Sequence, residues 1–406
     1  MQIRQLVIKV LAIGDLSNNV VMFKKFTKNS EIHLVNFSWE GPSKVMDIKE
    51  NVEFFNTDKI AKMVEKINRI KDNYDICLAM SSTGLLVSYL ADLNYIAYFV
   101  GHDIRSPPFI KNVKDPLSTE ESLYHFNAIE RWYYKKAYEN AIAAVVTDDE
   151  MLHHLKKYRK DPTRITGYIV DTTLFNENVK PIEKTKEKFT FFSPARMGLQ
   201  KGTDKIFEAL KNCKSDFDII QVKWYDERTT KERELAKKWI ENPPKQVKYV
   251  PIMKREDVGR YMVFADAVLG QVSGIQADVE RSGALCKKAV IHYADPKLSY
   301  IVDGERRASP FLPKSNDIKT ITEIIDRVVE DKQFRDKLAK EEYDFVKKLS
   351  DPEIVMNQWE KLFESMAKKY ESSYKKTHSL KLKIRLWGYL IGNRAYIKKI
   401  KKIFKN

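Results

Sequence analysis

Short apolar runs alternate with amphipathic stretches along the first 170 residues of this chain. The runs that predict strands are Leu6–Ile13, Glu31–Phe37, Val52–Phe55, Asp75–Met80, Tyr95–Gly101, Ala141–Thr147 and Arg164–Val170. The stretches that predict helices are Lys59–Ile70, Gly84–Leu93, Glu120–Tyr138 and Asp149–Tyr158. Strands joined by helical crossovers pair in parallel, and helices cover both faces of such a sheet. The pattern therefore predicts an α/β domain with a mostly parallel sheet.

The alternation stops at residues 178–188, NVKPIEKTKEK, which are charged, contain a proline and have no apolar period. This composition is typical of a linker. Beyond it the strand and helix pattern restarts at Phe189–Pro194, which predicts a second Rossmann-like unit. A length of 406 residues fits two such domains.

The predicted organisation therefore has five parts. They are a first Rossmann-like domain (1–177), the linker (178–188), a second Rossmann-like domain (189–351), a terminal helix that could cross back to the first domain (352–370) and a basic tail (371–406). Helical periodicity runs from Ile318 to Leu349 and from Pro352 to Tyr370.

Cysteine content and hydropathy limit where the protein works. Cys77, Cys213 and Cys286 are odd in number and widely spaced, so neither a disulfide framework nor a zinc site is indicated, and a reducing cytoplasm is the simplest location. Because no apolar run reaches about 18 residues, we expect any membrane contact to be peripheral, on the cytoplasmic face.

Most of the net charge of +16 belongs to the tail, where residues 371–406 hold eleven Lys or Arg against one acid, Glu371. Apolar and basic residues there alternate with a helical period, as in helices that lie in a membrane interface. The predicted membrane-binding residues are Leu382, Leu386, Trp387, Leu390, Lys398, Lys401 and Lys402. Gly388 and Gly392 predict a division into two short helices. A partner-binding or solvated helix is the alternative interpretation.

The segment FTFFSPARMGLQKGTDKIFEAL places Arg196 and Lys201 in a loop between a buried strand and a helix that begins near Thr203. A helix N-terminus favours an anion, an arginine can bind a phosphate with two hydrogen bonds, and a lysine adds a point charge. A diphosphate suits this chemistry. The alternative is a solvated turn with two surface cations.

A second segment, ADAVLGQVSGIQADVERSGALCKKAVIHY, puts a loop around Gly274 between a strand and a helix that contains Glu280. Ligands of open α/β sheets bind at the carboxyl ends of strands. An acid in the first helical turn can accept hydrogen bonds from ribose hydroxyls. It can equally complement the helix dipole.

With these motifs, most of residues 1–370 resemble the retaining glycosyltransferases of family four, which have the GT-B fold of two Rossmann-like domains across a cleft. Arg196, Lys201 and Gly202 are similar to that family's "R…KG" motif. The segment Tyr168–Asp171 with Phe175 is similar to its "nGvD…F" segment, and the tripeptide Gly101, His102, Asp103 to its first-domain loop.

The resemblance implies a role for each matching position. Arg196, Lys201 and Gly202 bind the donor diphosphate, Glu280 holds the ribose, and the other donor-binding positions are Pro251, Ile252, Met253, Ser273, Gly274, Ile275 and Gln276. His102 and Asp103 are the implied catalytic positions, with Asp103 supporting the loop, although a capping or core histidine is the alternative. Gly14 and Asp15 form the implied acceptor-side loop.

Some positions depart from the family pattern. Its paired-glutamate motif has a first glutamate eight residues before the second, where this chain has Val272. The glycine pair expected after the first strand is reduced to Gly14, and a glycine turn expected after the second strand of the donor domain is replaced by Lys223–Asp226. These differences indicate either an altered site or lost activity.

Sugar transfer with retention, as the resemblance implies, depends on charge neutralisation of the leaving diphosphate and predicts no cofactor and no obligatory metal. Three pairs have spacings that could suggest a metal: Asp216 with Asp218, Asp149 with His153, and Glu150 with His154. The first pair lies where a core strand begins, and two ligands at helical spacing are common on solvated helices. We therefore predict no metal site.

The sequence predicts a glycosyltransferase that uses a nucleotide-sugar donor and a glycan or lipid-linked acceptor. The alternatives are a catalytically silent homologue that regulates a partner and, more remotely, a basic nucleic-acid-binding protein. Nucleic acid is not an expected partner, because the positive charge lies in an amphipathic tail and no nucleic-acid-binding module is present.

Overall fold

The computed structural model of the chain describes residues 7–38, 51–111, 126–165, 167–225, 230–374 and 379–393. The first domain has seven parallel strands, in the order β3-β2-β1-β4-β5-β6-β7. These strands are β1 (Ile8–Ile13), β2 (Ser30–Phe37), β3 (Glu53–Phe55), β4 (Ile76–Met80), β5 (Tyr95–Tyr98), β6 (Ala143–Val146) and β7 (Pro162–Arg164). Its helices are α1 (Asn19–Phe26), α2 (Ile60–Ile70), α3 (Ser81–Leu90), α4 (His102–Arg105), α5 (Ala128–Glu139) and α6 (Asp149–Leu155).

The second domain has a five-stranded parallel sheet in the order β10-β9-β8-β11-β12 and an antiparallel hairpin, β13-β14. Its strands are β8 (Phe189–Ser193), β9 (Phe217–Val222), β10 (Val247–Val250), β11 (Ala267–Leu269), β12 (Ala289–Ile291), β13 (Ser299–Val302) and β14 (Glu305–Ala308). Its helices are α7 (Thr203–Asn212), α8 (Thr230–Glu241), α9 (Arg255–Phe264), α10 (Asp278–Leu285), α11 (Ile318–Glu330) and α12 (Lys332–Ser350). The predicted pair of parallel-sheet α/β domains is confirmed.

Two predicted elements of the first domain begin at the wrong residue. The predicted strand Arg164–Val170 is β7, which ends at Arg164, because Gly167 has φ +48° and lies where a β-carbon would be 2.2 Å from the Leu349 carbonyl oxygen. The predicted helix Glu120–Tyr138 begins at Ala128, since Asn127 Oδ1 accepts hydrogen bonds from the first-turn N–H groups. Residues 112–125 lie outside the described parts of the chain.

The helix α13 (Pro352–Tyr374) follows the second domain but packs on α1, β1 and β4 of the first. Its Trp359 is fully buried, with its ring 4.8 Å from those of Phe23 and Tyr98. The Glu360 carboxylate accepts hydrogen bonds from the backbone N–H groups of Lys28 and Asn29. The two domains are therefore joined twice, by the linker and by this helix.

The last described helix, α14 (Ser379–Gly392), lies against α3 and α5 of the first domain. Tyr389 is 3% exposed, and Leu386 and Leu390 pack against the same core. The predicted membrane-facing role of Leu386 and Leu390 is therefore wrong, because these side chains contact protein. Gly388 lies inside α14, so the predicted division there is also wrong.

Leu382 is half-buried and Trp387 is 60% exposed, while Lys398, Lys401 and Lys402 lie outside the described residues. Within the described ranges, no helix is both long enough and apolar enough to cross a bilayer.

Candidate functional site

The loop that follows β8 is held at three points by hydrogen bonds. Met197 N–H donates to the Trp224 carbonyl at 2.8 Å, Gly198 N–H to Thr203 Oγ1 at 2.9 Å, and Leu199 N–H to Glu232 Oε2 at 3.2 Å. These partners belong to the loop after β9, to α7 and to α8. The loop that carries Arg196 and Lys201 therefore has a defined shape, and both side chains are half-buried.

Lys201 lies at the point where the loops after β8 and β11 meet. Its carbonyl accepts a hydrogen bond from Val272 N–H at 3.0 Å. His292 follows β12, and burial lowers its pKa. The positive charge of Lys201 also lowers the pKa of His292, so the Lys201 ammonium lies near the carboxyl end of β12. Lys201, the α7 N-terminus and the loop after β11 thus surround one crevice.

This crevice lies at the topological switch point of the second sheet. The chain proceeds from β8 outward to β9 and β10, and then returns to β11 on the other side of β8. In open α/β sheets, ligands bind outside the carboxyl ends of the strands at such a point, where the two connections leave in opposite directions. The loop that carries Arg196 and Lys201 and the loop around Gly274 therefore lie side by side at the carboxyl edge of the second sheet.

Two roles were predicted for Glu280, a ribose contact and an acid at the helix N-terminus, and the structure shows the second. Its carboxylate is fully buried, with Oε1 accepting from Gln271 N–H at 3.0 Å and Oε2 from Ala277 N–H at 2.8 Å. Both ends of the 271–277 loop are thereby tied to α10, as in a capping box. In this conformation a ribose hydroxyl cannot reach the carboxylate, so the structure does not support the implied ribose contact.

The loop between Gln271 and Ala277 nevertheless contains polar atoms that lack partners. The Gln276 side chain is 4% exposed, and neither its Nε2 nor its Oε1 has a hydrogen-bond partner among the described residues. Gly274 has φ +88° and its carbonyl accepts from Asp295 N–H, while Ser273 and Ile275 are half-buried. A buried amide without protein partners leaves hydrogen-bonding capacity that an ordered water or a polar ligand can satisfy.

The residues implied to line the nucleotide base follow β10. Pro251 and Ile252 are exposed and Met253 is half-buried. Because β10 lies two strands from β8, these residues are about 10 Å from the Arg196–Lys201 loop along the same sheet edge.

In the first domain, Asp15 and Asp103 face their own loops. Asp15 is 5% exposed and accepts hydrogen bonds from Val20 and Val21 N–H at 3.1 Å, so it caps α1. Asp103 is equally buried and accepts from Gly101 N–H at 2.8 Å. Burial raises the pKa of Asp103, and its backbone hydrogen bonds oppose that shift.

The predicted support of the loop by Asp103 is present, and its implied catalytic role stays a prediction. His102 begins α4 and is half-buried. Gly14 has φ +84°, and a β-carbon there would lie 2.6 Å from the Met80 carbonyl oxygen. Only glycine therefore fits where β1 and β4 separate.

The acidic pairs that could have suggested a metal are bound to cations instead. Asp216 pairs with Lys188 at 2.7 Å and Asp218 with Lys248 at 2.6 Å. Glu150 accepts two hydrogen bonds from the Arg105 guanidinium. The expectation of a solvated α6 is wrong for Asp149 and Glu150, which are half-buried. Among the described residues, no three His, Cys, Asp or Glu side chains are arranged to hold a metal.

The two domains contact each other through side chains that the sequence analysis missed. Arg164 Nη2 donates to the Ser299 carbonyl at 2.8 Å, and Arg306 Nη1 donates to Asp149 Oδ2 at 2.9 Å. Asp149 also accepts from Arg164 Nη1 and from Ser299 Oγ. The hairpin of the second domain therefore binds the carboxyl edge of the first sheet.

Arg281 is a further interdomain residue that the sequence analysis missed. It is 1% exposed, its guanidinium lies 4.5 Å from the Tyr168 ring, and Nε and Nη1 have no hydrogen-bond partner among the described residues. The available signal was that Arg281 is the one basic residue of α10, DVERSGAL. Buried donors without acceptors favour an anionic or polar ligand at this contact.

Comparison with known proteins identifies the fold. No protein-family model matches the sequence, and no curated protein matches it. The structure is similar to Anabaena HepE in complex with UDP-glucose, with a TM-score of 0.64 at 16% identity, covering 88% of this chain and 99% of that one.

Two further structures are similar. Sucrose-phosphate synthase from Thermosynechococcus elongatus gives a TM-score of 0.65 at 13% identity, covering 88% of this chain and 99% of that one. An alpha-glucosyltransferase in complex with UDP-glucose and DNA gives 0.59 at 13% identity, with the same coverage. These neighbours are GT-B glycosyltransferases, and the fold of this chain is GT-B.

Proposed function

We propose that this protein is a glycosyltransferase that transfers a sugar from a nucleotide-sugar donor to an acceptor. The observation that carries the proposal is the hydrogen bond between Val272 N–H and the Lys201 carbonyl, because it joins the two loops that border the switch-point crevice. A cationic loop, a helix N-terminus and a buried amide then surround one position. The ligands of the structural neighbour HepE suggest UDP-glucose as the first donor to test.

In the proposed mechanism, Arg196 and Lys201 stabilise the negative charge that develops on the departing diphosphate. The first-turn N–H groups of α7 add the positive end of the helix dipole. Arg281 and Gln276 supply buried donors for the sugar or phosphate oxygens. We propose that transfer needs no divalent metal, because these cations supply the required positive charge. We also propose that it retains the anomeric configuration, as the resemblance to retaining glycosyltransferases implies.

The donor role is tested by titrating UDP and UDP-glucose into wild-type protein and into the Arg196→Ala and Lys201→Ala variants by calorimetry. We expect each substitution to weaken binding by roughly tenfold to a hundredfold, since each removes a charged hydrogen-bonding group. Lys211→Ala, on the exposed end of α7, is the matched control and should bind normally. Equal donor affinity in all four proteins would reject the proposed site.

Transfer itself is followed by UDP release with glycan and lipid-linked acceptors, with and without EDTA. The product anomer, read by NMR, decides between retention and inversion. Loss of turnover in EDTA would reject the metal-independent mechanism.

A nucleotide-sugar-binding protein without transfer activity is the second candidate. It is favoured by Val272, which is 1% exposed at the position where the resembled family has its first glutamate, and by the sealed carboxylate of Glu280. Tight UDP-glucose binding together with no UDP release across the acceptor panel would support this candidate over the enzyme.

We propose a cytoplasmic location and no nucleic-acid partner. In the described ranges the three cysteines are unpaired, as suits a reducing compartment. A filter-binding titration with single- and double-stranded DNA tests whether the protein binds nucleic acid. Salt-sensitive, saturable binding would contradict the proposal that it does not.

A further inference from the structure

Helix α14 is apolar on two opposite sides, and only one of them is covered by protein. Leu386, Tyr389 and Leu390 face the first-domain core. The exposed fractions of the uncovered residues are 68% for Leu380, 64% for Ile384, 60% for Trp387 and 59% for Ile391. The spacing of these four residues, i, i+4, i+7 and i+11, places them along one stripe of a helix.

The stripe continues onto the neighbouring helix α5, where Ile129 is 46% exposed and Trp132 is 50% exposed. A β-carbon on Gly392 would lie 2.1 Å from Ile129 Cγ2, and one on Gly388 would lie 2.2 Å from Tyr133 Oη, so the two helices are in close contact. The Trp132 ring is 4.8 Å from that of Tyr133. We call the combined surface of Ile129, Trp132, Leu380, Ile384, Trp387 and Ile391 the apolar face.

Positive charge borders the apolar face. Lys383 is exposed on α14, and Lys135 and Lys136 lie on α5. Of the acids nearby, Glu130 caps the N-terminus of α5 and Asp92 pairs with Arg385 at 2.9 Å. Glu139 pairs with both Lys135 and Lys136, so these three side chains together keep one net positive charge, and Lys383 adds a second. A second copy of the chain would place lysines against lysines, whereas an anionic surface complements them.

The chain that follows α14 has the same character. Residues 394–406 contain six Lys or Arg, no acid, and the apolar residues Ile397, Ile400, Ile403 and Phe404. The last described residue, Asn393, lies next to the N-terminus of α5, because Asn127 Nδ2 donates to the Gly392 carbonyl at 2.6 Å. Since α5 returns the chain from the carboxyl end of β5 to the start of β6, that point lies toward the cleft edge of the first domain.

We infer that the apolar face docks on an anionic lipid bilayer, with the two tryptophans at the headgroup level. Tryptophan favours that depth, and lysines beside an apolar stripe bind anionic headgroups. In this orientation the bilayer lies beside the cleft edge of the first domain, where a lipid-linked acceptor can reach the transfer site. The inference concerns a surface remote from the Arg196–Lys201 loop and does not depend on the proposed donor chemistry.

The test uses the full-length protein and vesicles made of equal parts phosphatidylcholine and phosphatidylglycerol. The variant Ile384→Ser/Trp387→Ser/Ile391→Ser alters only exposed side chains, so we expect it to fold with an unchanged melting temperature. Its partition coefficient in vesicle flotation should fall at least about tenfold. The control Ile318→Ser/Ile354→Ser removes exposed apolar side chains elsewhere and should partition normally.

Brominated lipids give a second readout of the same contact. Trp387→Phe and Trp132→Phe should each remove part of the vesicle-induced fluorescence quenching, whereas Trp239→Phe, on α8, should not. Lys201→Ala should leave flotation unchanged, so failure of the donor site and failure of the bilayer site are distinguishable.

Three outcomes would overturn the inference. The first is equal partitioning of the triple variant and the wild type, with binding lost only when residues 394–406 are deleted. The second is a wild-type dimer in light scattering that the triple variant converts to a monomer. The third is wild-type protein that does not partition onto the vesicles at all.

Discussion

A β-carbon on Gly202 would lie 2.3 Å from Cγ2 of Val272. Gly202 has φ +70° and begins α7, while Val272 N–H holds the Lys201 carbonyl. The loops after β8 and β11 therefore meet at two residues that leave no space between them. This contact determines where Lys201 lies in the crevice.

Gly202→Ala should destabilise the protein by about 2–4 kcal/mol, because it adds a steric overlap to a left-handed backbone conformation. UDP binding should weaken as the loop shifts. Urea unfolding and calorimetry measure the two effects. Wild-type stability and affinity in the Gly202→Ala variant would contradict the contact.

The double variant Gly202→Ala/Val272→Ala separates two causes of the lost stability: the steric overlap with Val272 and the backbone strain at Gly202. Val272→Ala alone should cost about 2 kcal/mol of unfolding free energy for the lost methyl groups. Together the two substitutions should cost about 1–2 kcal/mol less than their sum, because the Val272→Ala change removes the overlapping Cγ2 atom. Additive costs would show that the two residues do not touch.

Glu342 on α12 is a fully buried carboxylate that should make stability depend on pH. Its Oε2 accepts from Val290 N–H at 2.7 Å, and its Oε1 has no partner among the described residues. Burial raises the pKa of Glu342 well above its usual range. The folded protein therefore holds this proton more tightly than the unfolded chain, whose glutamate has a pKa of about 4.3.

The stabilising effect of this proton is complete below the unfolded pKa and is lost as pH rises toward the raised folded pKa. Glu342→Gln should therefore flatten the decline in melting temperature above about pH 4.3 and stabilise the protein at neutral pH. Scanning calorimetry from acid to neutral pH measures this. Glu341→Gln, at the exposed neighbouring position, is the control. A melting temperature of Glu342→Gln that differs from wild type by the same amount at every pH would contradict the prediction.

Asp149 is the central acceptor of the contact between the domains. Asp149→Ala leaves the Arg164 side chain, 10% exposed, without its counter-ion, and should cost about 1–3 kcal/mol after allowance for partial exposure. We also expect a larger radius of gyration by X-ray scattering, because the hairpin loses its bond to the first domain. Asp303→Ala removes the exposed ion pair with Lys348 within the second domain, and should change neither the stability nor the radius of gyration by much. An unchanged radius of gyration in the Asp149→Ala variant would show that this contact does not hold the two domains together.

Gly388→Ala tests how α14 is docked. Alanine favours an isolated helix by about 1 kcal/mol, so a peptide spanning α14 should become more helical. In the protein, the new methyl group meets Tyr133 Oη, and α14 should become more accessible to hydrogen exchange. Lys383→Ala, on an exposed position, should raise helicity without loosening the helix. Unchanged protection in Gly388→Ala would contradict the close contact with α5.

The two parallel-sheet domains could be predicted from the sequence, because strand and helix periods are local properties of the chain. The same patterns placed Arg196 and Lys201 in a loop at the carboxyl end of a buried strand. The hydrogen-bond partners of Asp15, Asp103 and Glu280 were decided by the fold, in which each carboxylate accepts from backbone N–H groups nearby in the chain. A carboxylate that caps a loop and one that faces a ligand have the same sequence signature.

The tail shows most clearly what the sequence determined and what tertiary packing decided. By itself the sequence determined that the last helix is amphipathic and basic, since composition and a helical period establish both properties. Which apolar side faces the protein was decided only by tertiary packing. Leu386, Tyr389 and Leu390 fit against α3 and α5 because Gly388 and Gly392 allow close approach there, and Ile384, Trp387 and Ile391 are left exposed. A helical period gives the spacing of side chains, but the shape of the surface they meet decides which of them are buried.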